Sequence, residues 1–103
     1  MGRIIRNRIY NIDYYVYKDY VFICNFRIEN EYRGRGYSKR IFDRVIKKSN
    51  RNRIILECFP ALLKFYMRLG FHIIGKTEDG YFEMEFKNEQ PLLFGDLAEE
   101  RKL

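Results

Sequence analysis

The alternation of apolar and polar positions predicts three strands in the first third of the chain. Residues 4–12 alternate loosely between apolar and polar side chains, and residues 14–17 are rich in residues that favour strands. Residues 20–29 predict the longest strand, which we expect to lie near the centre of a sheet. Lys18 and Asp19 fit a tight hairpin turn in front of it.

A helix and a short buried strand follow. The apolar side chains at positions 41, 42, 45 and 46 recur at helical spacing. They predict a helix that begins at residue 36 or 37 and ends near residue 49. Residues 54–56 are all apolar, which is typical of a strand buried on both faces.

The last part of the chain predicts a second helix, two strands and a tail. Pro60 and Gly70 suit the beginning and the end of a helix over residues 61–69. Asp79-Gly80 is a strong hairpin signal. The remaining predicted elements are strands over residues 71–76 and 81–86 and an amphipathic tail helix after Pro91.

The predicted order is therefore β-β-β-α-β-α-β-β followed by a tail helix. Strands that do not alternate regularly with helices indicate a mixed α+β sheet rather than a doubly wound fold. The chain has 103 residues, of which 47% are hydrophobic and 17% aromatic, enough to build the core of one domain. Disorder of the whole chain is thereby disfavoured.

The net charge and the cysteines bear on the binding partners and the cellular compartment that we expect. The formal net charge of +6 suits an acidic cofactor, an acidic protein surface or nucleic acid, without choosing among them. Cys24 and Cys58 stand in apolar runs without metal-ligand spacing, so we expect no metal site and reduced thiols, as in a reducing compartment. No segment resembles a signal peptide or a membrane span, and we expect a cytoplasmic protein.

The segment from Asn30 to Ser38 carries the clearest chemistry. It joins the longest strand to the first helix and contains Gly34 and Gly36. The beginning of a helix presents unpaired N–H groups, which bind phosphate, and glycines let a ligand approach the backbone closely. Arg33 and Arg35 add positive charge. The loop therefore predicts a site for a cofactor that carries a phosphate or pyrophosphate.

Two blocks of this sequence resemble the GNAT superfamily of acyl-CoA-dependent N-acetyltransferases. The first is the loop, whose Arg33-x-x-Gly36-x-Ser38 pattern looks like the family's acyl-CoA signature. The second, residues 63–71, is similar to the family's helix that ends in F-Y-x-x-x-G-F. The resemblance covers residues 13–87. It implies a GNAT-like, mostly antiparallel sheet in a single domain over residues 1–103, with its core at 13–87 and a tail at 88–103.

The resemblance implies acetyl-CoA as the cofactor. In the family the pyrophosphate lies on backbone N–H groups of the loop. The pantetheine arm pairs with the end of the long strand, in a gap between that strand and the one at residues 54–58. The implied cofactor-binding residues are Phe26, Arg27, Ile28, Arg33, Gly34, Arg35, Gly36, Tyr37, Ser38 and Tyr66.

The implied reaction is direct attack of an amine on the thioester. Tyr66 matches the tyrosine that serves as general acid in the family, although a tyrosine there could simply pack in the core. The base stays open: Asp19, Glu29 and Glu31 are candidates, and a chain of water molecules is another. Cys58 could carry the acetyl group covalently, but a buried inert thiol is favoured there.

Our expectations about the acceptor and the partners rest on a difference from the family before Asp13. Only one strand fits before Asp13, where the family has a strand and two helices. The resemblance therefore implies an open, shallow acceptor groove, which suits a protein lysine or another macromolecular amine better than a small molecule. An acidic partner or RNA and a homodimer through the tail are further expectations.

Two alternatives stay open at this point. One is a GNAT-like binding module without catalysis, acting on a protein or nucleic-acid partner. The other is direct binding of nucleic acid through basic residues outside the loop. The arginines considered for that role are Arg3, Arg6, Arg8, Arg51 and Arg53.

Overall fold

The computed structural model of the protein describes residues 2–88 and contains six strands and two helices within that range. Their order confirms the predicted series of elements. The expected tail helix, and with it the dimer contact, lies outside the described residues. The elements are β1 (Gly2–Arg6), β2 (Tyr10–Val16), β3 (Val21–Ile28), α1 (Tyr37–Ser49), β4 (Arg53–Cys58), α2 (Leu63–Arg68), β5 (His72–Lys76) and β6 (Phe82–Lys87).

The strands form one mixed sheet in the order β1-β2-β3-β4-β6-β5. Neighbouring strands are antiparallel except β3 and β4, which are parallel because α1 connects them. The long strand β3 lies in the interior of the sheet, as its apolar run predicted. The fold is thus the α+β, GNAT-like arrangement that the sequence indicated.

The prediction of one strand over residues 4–12 is wrong, because the chain turns at Asn7. The Asn7 side-chain Oδ1 accepts hydrogen bonds from the N–H groups of Ile9 and Tyr10, each at 2.9 Å. An asparagine that binds the backbone two or three residues ahead stabilises a turn. The second strand therefore begins at Tyr10, not at residue 14. The predicted turn before β3 is present, and the Tyr17 N–H donates to the Tyr20 carbonyl at 2.8 Å.

Both helices pack on the same face of the sheet. Phe71, which follows α2, lies 5.6 Å from the Phe42 ring of α1 and 5.5 Å from the Tyr66 ring of α2, measured between ring centroids. Among residues 2–88, neither helix has the length and apolar character that crossing a bilayer requires. The other face of the sheet carries no helix from these residues. The most deeply buried core side chains are Ile12, Val21, Ile54, Leu56 and Met84.

A bulge in β3 reverses which of its side chains face the core. Asp13 of β2 lies opposite Asn25, while Tyr14 lies opposite Ile23, so Cys24 has no partner on β2. An extra residue of this kind shifts the alternation of side chains by one. As a result Ile23 before the bulge and Phe26 after it both point toward the helices.

Gly70, the glycine of the second motif, has a physical role in ending α2. Its φ is +104°, which disfavours other residues, and a Cβ there would lie 3.1 Å from Cε1 of Phe86. The chain therefore leaves α2 through a left-handed turn. The Phe71 N–H then bonds back to the Tyr66 carbonyl at 3.1 Å, which fixes Phe71 against the core.

Candidate active site

The site begins where β3 and β4 part. The two strands pair only between residues 21–23 and residues 54–56. Beyond this point β3 continues to Ile28 and β4 to Cys58 without a ladder between them. Residues 25–28 keep their partners on β2, but the backbone groups of residues 24–28 on the β4 side have no strand opposite. We call this opening the fork, and it lies where the resemblance places the pantetheine arm.

The loop leads directly from the fork to α1. Gly34 and Gly36 have φ of +75° and +80°, and a Cβ placed on either would meet no atom within 4 Å. Their backbone conformation therefore requires glycine, and the space beside them is open. Gly36 caps α1 without any side-chain hydrogen bond, and no acidic residue stands in the first turn. The first N–H groups of α1 are thus free to bind an anion.

Arg33 is exposed, but its side chain also fastens the loop to the rest of the fold. Its Nε donates to the Ile28 carbonyl at 2.7 Å, which ties the loop to the end of β3. The guanidinium of Arg35 lies 5.7 Å from the ring centroid of Tyr32. Arg33 thereby fixes the shape of the loop, while Arg35 keeps its charge at the surface beside it.

Two more of the predicted cofactor residues line the beginning of α1. Tyr37 packs edge-on against Tyr32, with ring centroids 5.9 Å apart. Ser38 is only 7% exposed, and its hydroxyl has no hydrogen-bond partner among residues 2–88. A buried polar group without a partner is unusual in a folded protein and indicates a place where a ligand or water completes the bonding.

Phe26 and Arg27 lie on opposite faces of β3 beside the fork. The Phe26 ring packs on Phe42 of α1 at 4.8 Å between centroids, so it forms part of the wall on the helix side. Arg27 is exposed on the other face, with its Nη2 3.9 Å from a Glu29 carboxylate oxygen. The ion pair is long and exposed, and the Arg27 side chain remains available to a ligand.

Tyr66 lies on the helix side of the sheet and is 7% exposed. Its ring contacts Phe65 and Phe71 edge-on, and its hydroxyl has no hydrogen-bond partner within the described part of the chain. Burial, together with the neighbouring Cys58 thiol, raises the pKa of Tyr66 to about 12. The hydroxyl is therefore protonated at neutral pH and can give a proton but not take one.

Cys58, at the end of β4, is buried beside Tyr66. Its Sγ lies 3.5 Å from Sδ of Met84. Burial raises the pKa of the Cys58 thiol, and the nucleophile in acyl transfer is the thiolate. These surroundings are those of a packed, neutral thiol.

Two of the carboxylates considered as bases lie at the two ends of β3. Asp19 is exposed in the turn before β3. Glu29 follows its last residue, and its N–H donates to the Ile9 carbonyl at 2.9 Å. β3 has eight residues, and the seven steps between them, at ~3.3 Å each, place its two ends about 23 Å apart. Asp19 therefore lies away from the fork, whereas Glu29 directly follows Ile28 at its open end.

Glu57 also stands at the fork, and sequence reasoning missed it. It follows Leu56, the last residue of β4 that pairs with β3, and it is exposed on the helix-free face. Glu83 of β6 lies directly opposite. The signal was a single charged residue between Leu56 and Cys58, in a strand that the apolar run predicted to be buried on both faces.

Comparisons with known proteins agree with this geometry. The family model described as "Acetyltransferase (GNAT) domain" matches residues 12–82. A search of curated protein sequences found no match.

Three solved structures illustrate the similarity of the fold. PaiA N-acetyltransferase from Thermoplasma acidophilum, solved with coenzyme A, is 20% identical with a TM-score of 0.64, over 77% of this chain and 53% of that one. Spermidine N-acetyltransferase from Vibrio cholerae, solved with CoA and spermine, is 17% identical with a TM-score of 0.61, over 81% and 60%. The anti-CRISPR protein AcrVA5 is 20% identical with a TM-score of 0.64, over 84% and 98%.

The chain thus spans only 53% and 60% of the two enzymes but nearly all of AcrVA5. The family model covers well over half of the chain, and it includes the fork, the loop and both helices. The chain belongs to the GNAT family of acetyltransferase domains.

Proposed function

We propose that the protein is an N-acetyltransferase that moves an acetyl group from acetyl-CoA to a primary amine on a protein or another macromolecule. The observation that carries the proposal is the fork between β3 and β4, which opens directly onto the uncapped beginning of α1. An extended amide chain that ends in a pyrophosphate needs backbone partners followed by an anion site, in that order.

The residues present fit this cofactor. Residues 24–28 offer backbone groups without a strand partner on the β4 side, and Gly34 and Gly36 leave open space beside the loop. The free Ser38 hydroxyl and the first N–H groups of α1 suit phosphate oxygens. When bound, acetyl-CoA supplies an acetyl group activated as a thioester.

Two side chains on opposite faces of the sheet divide the proton transfers. Glu57, on the helix-free face, takes the proton that the acceptor ammonium must lose before it can attack. Tyr66, on the helix side and protonated at neutral pH, would supply the proton that the leaving sulfur of the bound thioester takes up. The acceptor therefore enters from the face without helices.

That face favours a cationic, macromolecular acceptor. Glu57 and Glu83 stand opposite each other, and like charges in that position are unfavourable unless a cation lies between them. A Cβ at Gly75 would lie 2.5 Å from Glu83 Oε1, so this glycine leaves room for the carboxylate. The face is open, with Ile4 71% exposed and Tyr15 47% exposed. A lysine carried on a folded surface can reach such a site.

The cofactor is tested by calorimetric titration with acetyl-CoA. Gly36→Glu places a carboxylate at the proposed phosphate site and should abolish binding. Gly80→Glu is the matched control, because Gly80 also has positive φ and open surroundings but lies in the turn before β6. Loss of binding in both variants, or in neither, would contradict the proposed site.

Turnover is tested by release of free CoA thiol with lysine-containing peptides and with spermine as acceptors. The proposal expects thiol release with peptides at a higher kcat/KM than with spermine. Binding of acetyl-CoA without thiol release for any acceptor would instead favour the non-catalytic binding module, in which Tyr66→Phe leaves partner binding intact.

A further inference from the structure

A row of exposed cations lies along α1, which also carries one exposed carboxylate, Asp43. None of the cations has an ion pair with any residue in the range 2–88, and Arg40, Arg44 and Lys48 follow one another at successive turns. Like charges four residues apart destabilise a helix, so the placement of Arg40 and Arg44 has no structural reason within the described fold, whereas Lys48 lies in the last turn, where a cation suits the helix dipole. The exposed cations of α1 are Lys39, Arg40, Arg44, Lys47 and Lys48.

A cavity lies beside this row, between α1 and the hairpin of β1 and β2. Its volume is about 250 Å³. It has an apolar interior with tyrosine rings in its wall and two cations at its edge. The lining residues that matter here are Ile5, Tyr10, Ile12, Tyr14, Arg44 and Lys48.

Two polar groups in the cavity wall lack partners. Tyr10 is 8% exposed and Tyr14 is 3% exposed, yet neither hydroxyl has a hydrogen-bond partner among residues 2–88. Buried hydroxyls are normally bonded, because leaving them unpaired is costly. A ligand in this cavity should therefore have apolar faces and also polar atoms at its edge.

We propose that the cavity and the basic row bind single-stranded nucleic acid, with one base in the cavity and the flanking phosphates along Arg40, Arg44 and Lys48. A nucleobase is flat, has apolar faces and carries hydrogen-bonding groups at its edge, as the cavity requires. A cavity of about 150 Å³ accommodates benzene, so this larger one has room for a nucleobase. Cations one helical turn apart, about 6 Å, form a continuous track for a phosphate backbone.

This site differs from the arginines that the sequence suggested for nucleic acid. In the structure Arg6 is paired with Asp13, and Arg53 is paired with Glu85. The Nε of Arg51 donates to the Tyr17 carbonyl at 2.8 Å. These side chains are engaged in the fold, whereas the cations of α1 have no ion pair or side-chain hydrogen bond within residues 2–88, and Arg40 only stacks on the Tyr37 ring at 5.9 Å.

The row is tested by fluorescence anisotropy with a labelled 12-nucleotide strand, in RNA and DNA forms. Arg44→Gln/Lys48→Gln should weaken binding at least about tenfold and reduce the slope of log affinity against log salt by about two. Lys39→Gln/Lys47→Gln removes the same charge from the same helix but spares the cavity, and it should weaken binding much less. Equal losses in the two double variants would overturn the proposal.

The cavity is tested with an abasic strand of the same length. Removal of the bases should weaken binding to the wild type about tenfold, because one inserted base is lost. Tyr14→Phe, which keeps the ring and removes only the hydroxyl, should reduce the differences in affinity among homopolymers. Equal binding of the abasic strand, full competition by polyglutamate, or displacement of the strand by CoA would each overturn the proposal.

Discussion

Burial separates the chemical roles of the residues around the fork. Tyr66 is surrounded by aromatic rings on the helix side, and burial holds its proton, while Glu57 is one residue beyond the paired part of β4 and reaches solvent. The proposed reaction needs two such groups. An accessible carboxylate takes the proton from the acceptor ammonium, and an acid that stays protonated supplies one to the leaving sulfur. Glu57 is exposed because it faces the helix-free side of the sheet, whereas its strand neighbour Cys58 faces the helices and is buried beside Tyr66.

We predict that Tyr66→Phe lowers kcat about 100-fold or more, because the leaving sulfur loses its proton donor. Binding of acetyl-CoA should be unchanged, and the melting temperature should stay level or rise, since the lost hydroxyl has no hydrogen-bond partner in the described residues. Thiol release and calorimetric titration measure the two effects. Wild-type turnover in this variant would rule out the acid role.

Tyr66 should also affect stability at high pH. Its folded pKa of about 12 lies above the unfolded value of about 10, so its contribution is complete below pH 10 and is lost as the pH rises toward 12. The loss should amount to roughly 2 kcal/mol of unfolding free energy. Urea unfolding across this pH range should show a smaller decline in Tyr66→Phe. If the unfolding free energy falls equally with pH in the wild type and in Tyr66→Phe, the hydroxyl is not buried as described.

Glu57→Gln should lower kcat/KM about 100-fold at neutral pH, with acetyl-CoA binding intact. The deficit should shrink as the pH rises, because more of the acceptor amine is then already deprotonated. Asp19→Asn and Glu29→Gln are the matched controls and should retain activity near that of the wild type. A larger loss in either control would move the base to the corresponding end of β3.

At the scale of elements, patterns within a segment could be predicted from the sequence, and pairings between segments could not. The helix over α1 followed from apolar spacing, and the loop before it from two glycines beside a helix start. The fork depends on how far β3 and β4 pair, and the position of Glu57 depends on that register. Register is set by contacts between distant segments, which no local pattern contains.

The hairpin of β1 and β2 shows that a local pattern can also mislead about where a strand ends. A loose alternation over residues 4–12 suggested one strand, while a single asparagine decided the turn. Backbone bonding by an Asn side chain competes with strand propensity and is weak as a sequence signal.

Asn7→Ala should therefore destabilise the protein by roughly 1–2 kcal/mol, because two backbone N–H groups lose their acceptor. Asn7→Asp retains an acceptor oxygen at the same place and should lose less. Urea unfolding compares the two variants with the wild type. Equal stability of Asn7→Ala would mean that the turn does not depend on the side chain.

At the scale of the whole molecule, charge differs between the two faces of the sheet. The net charge is +6, yet the helix-free face presents Glu57 and Glu83 beside the fork. The cations of α1 lie on the opposite side of the molecule, on the solvent-exposed side of that helix. Net charge alone suited an acidic cofactor, an acidic protein surface or nucleic acid, without choosing among them. The structure instead allows an acidic face toward a cationic acceptor and a basic face toward an anion, in one small domain.

The KM for a lysine-rich peptide should consequently rise several-fold between about 50 mM and 500 mM salt, as the Debye length shortens and attraction to the carboxylates is screened. Glu83→Gln should raise KM at low salt and flatten its dependence on salt, without changing kcat by much. Initial rates at several peptide concentrations measure both. A salt-independent KM in the wild type would argue against recognition by charge.

The bulge in β3 also gives the protein a built-in attachment point for a reporter. Of its two cysteines, Cys24 is exposed and Cys58 is buried. Cys24 directly follows the last residue of β3 that pairs with β4, so it stands at the base of the fork. A thiol-reactive fluorophore should therefore label this one position in the unmodified sequence, and its emission would follow ligands as they arrive at the fork in real time.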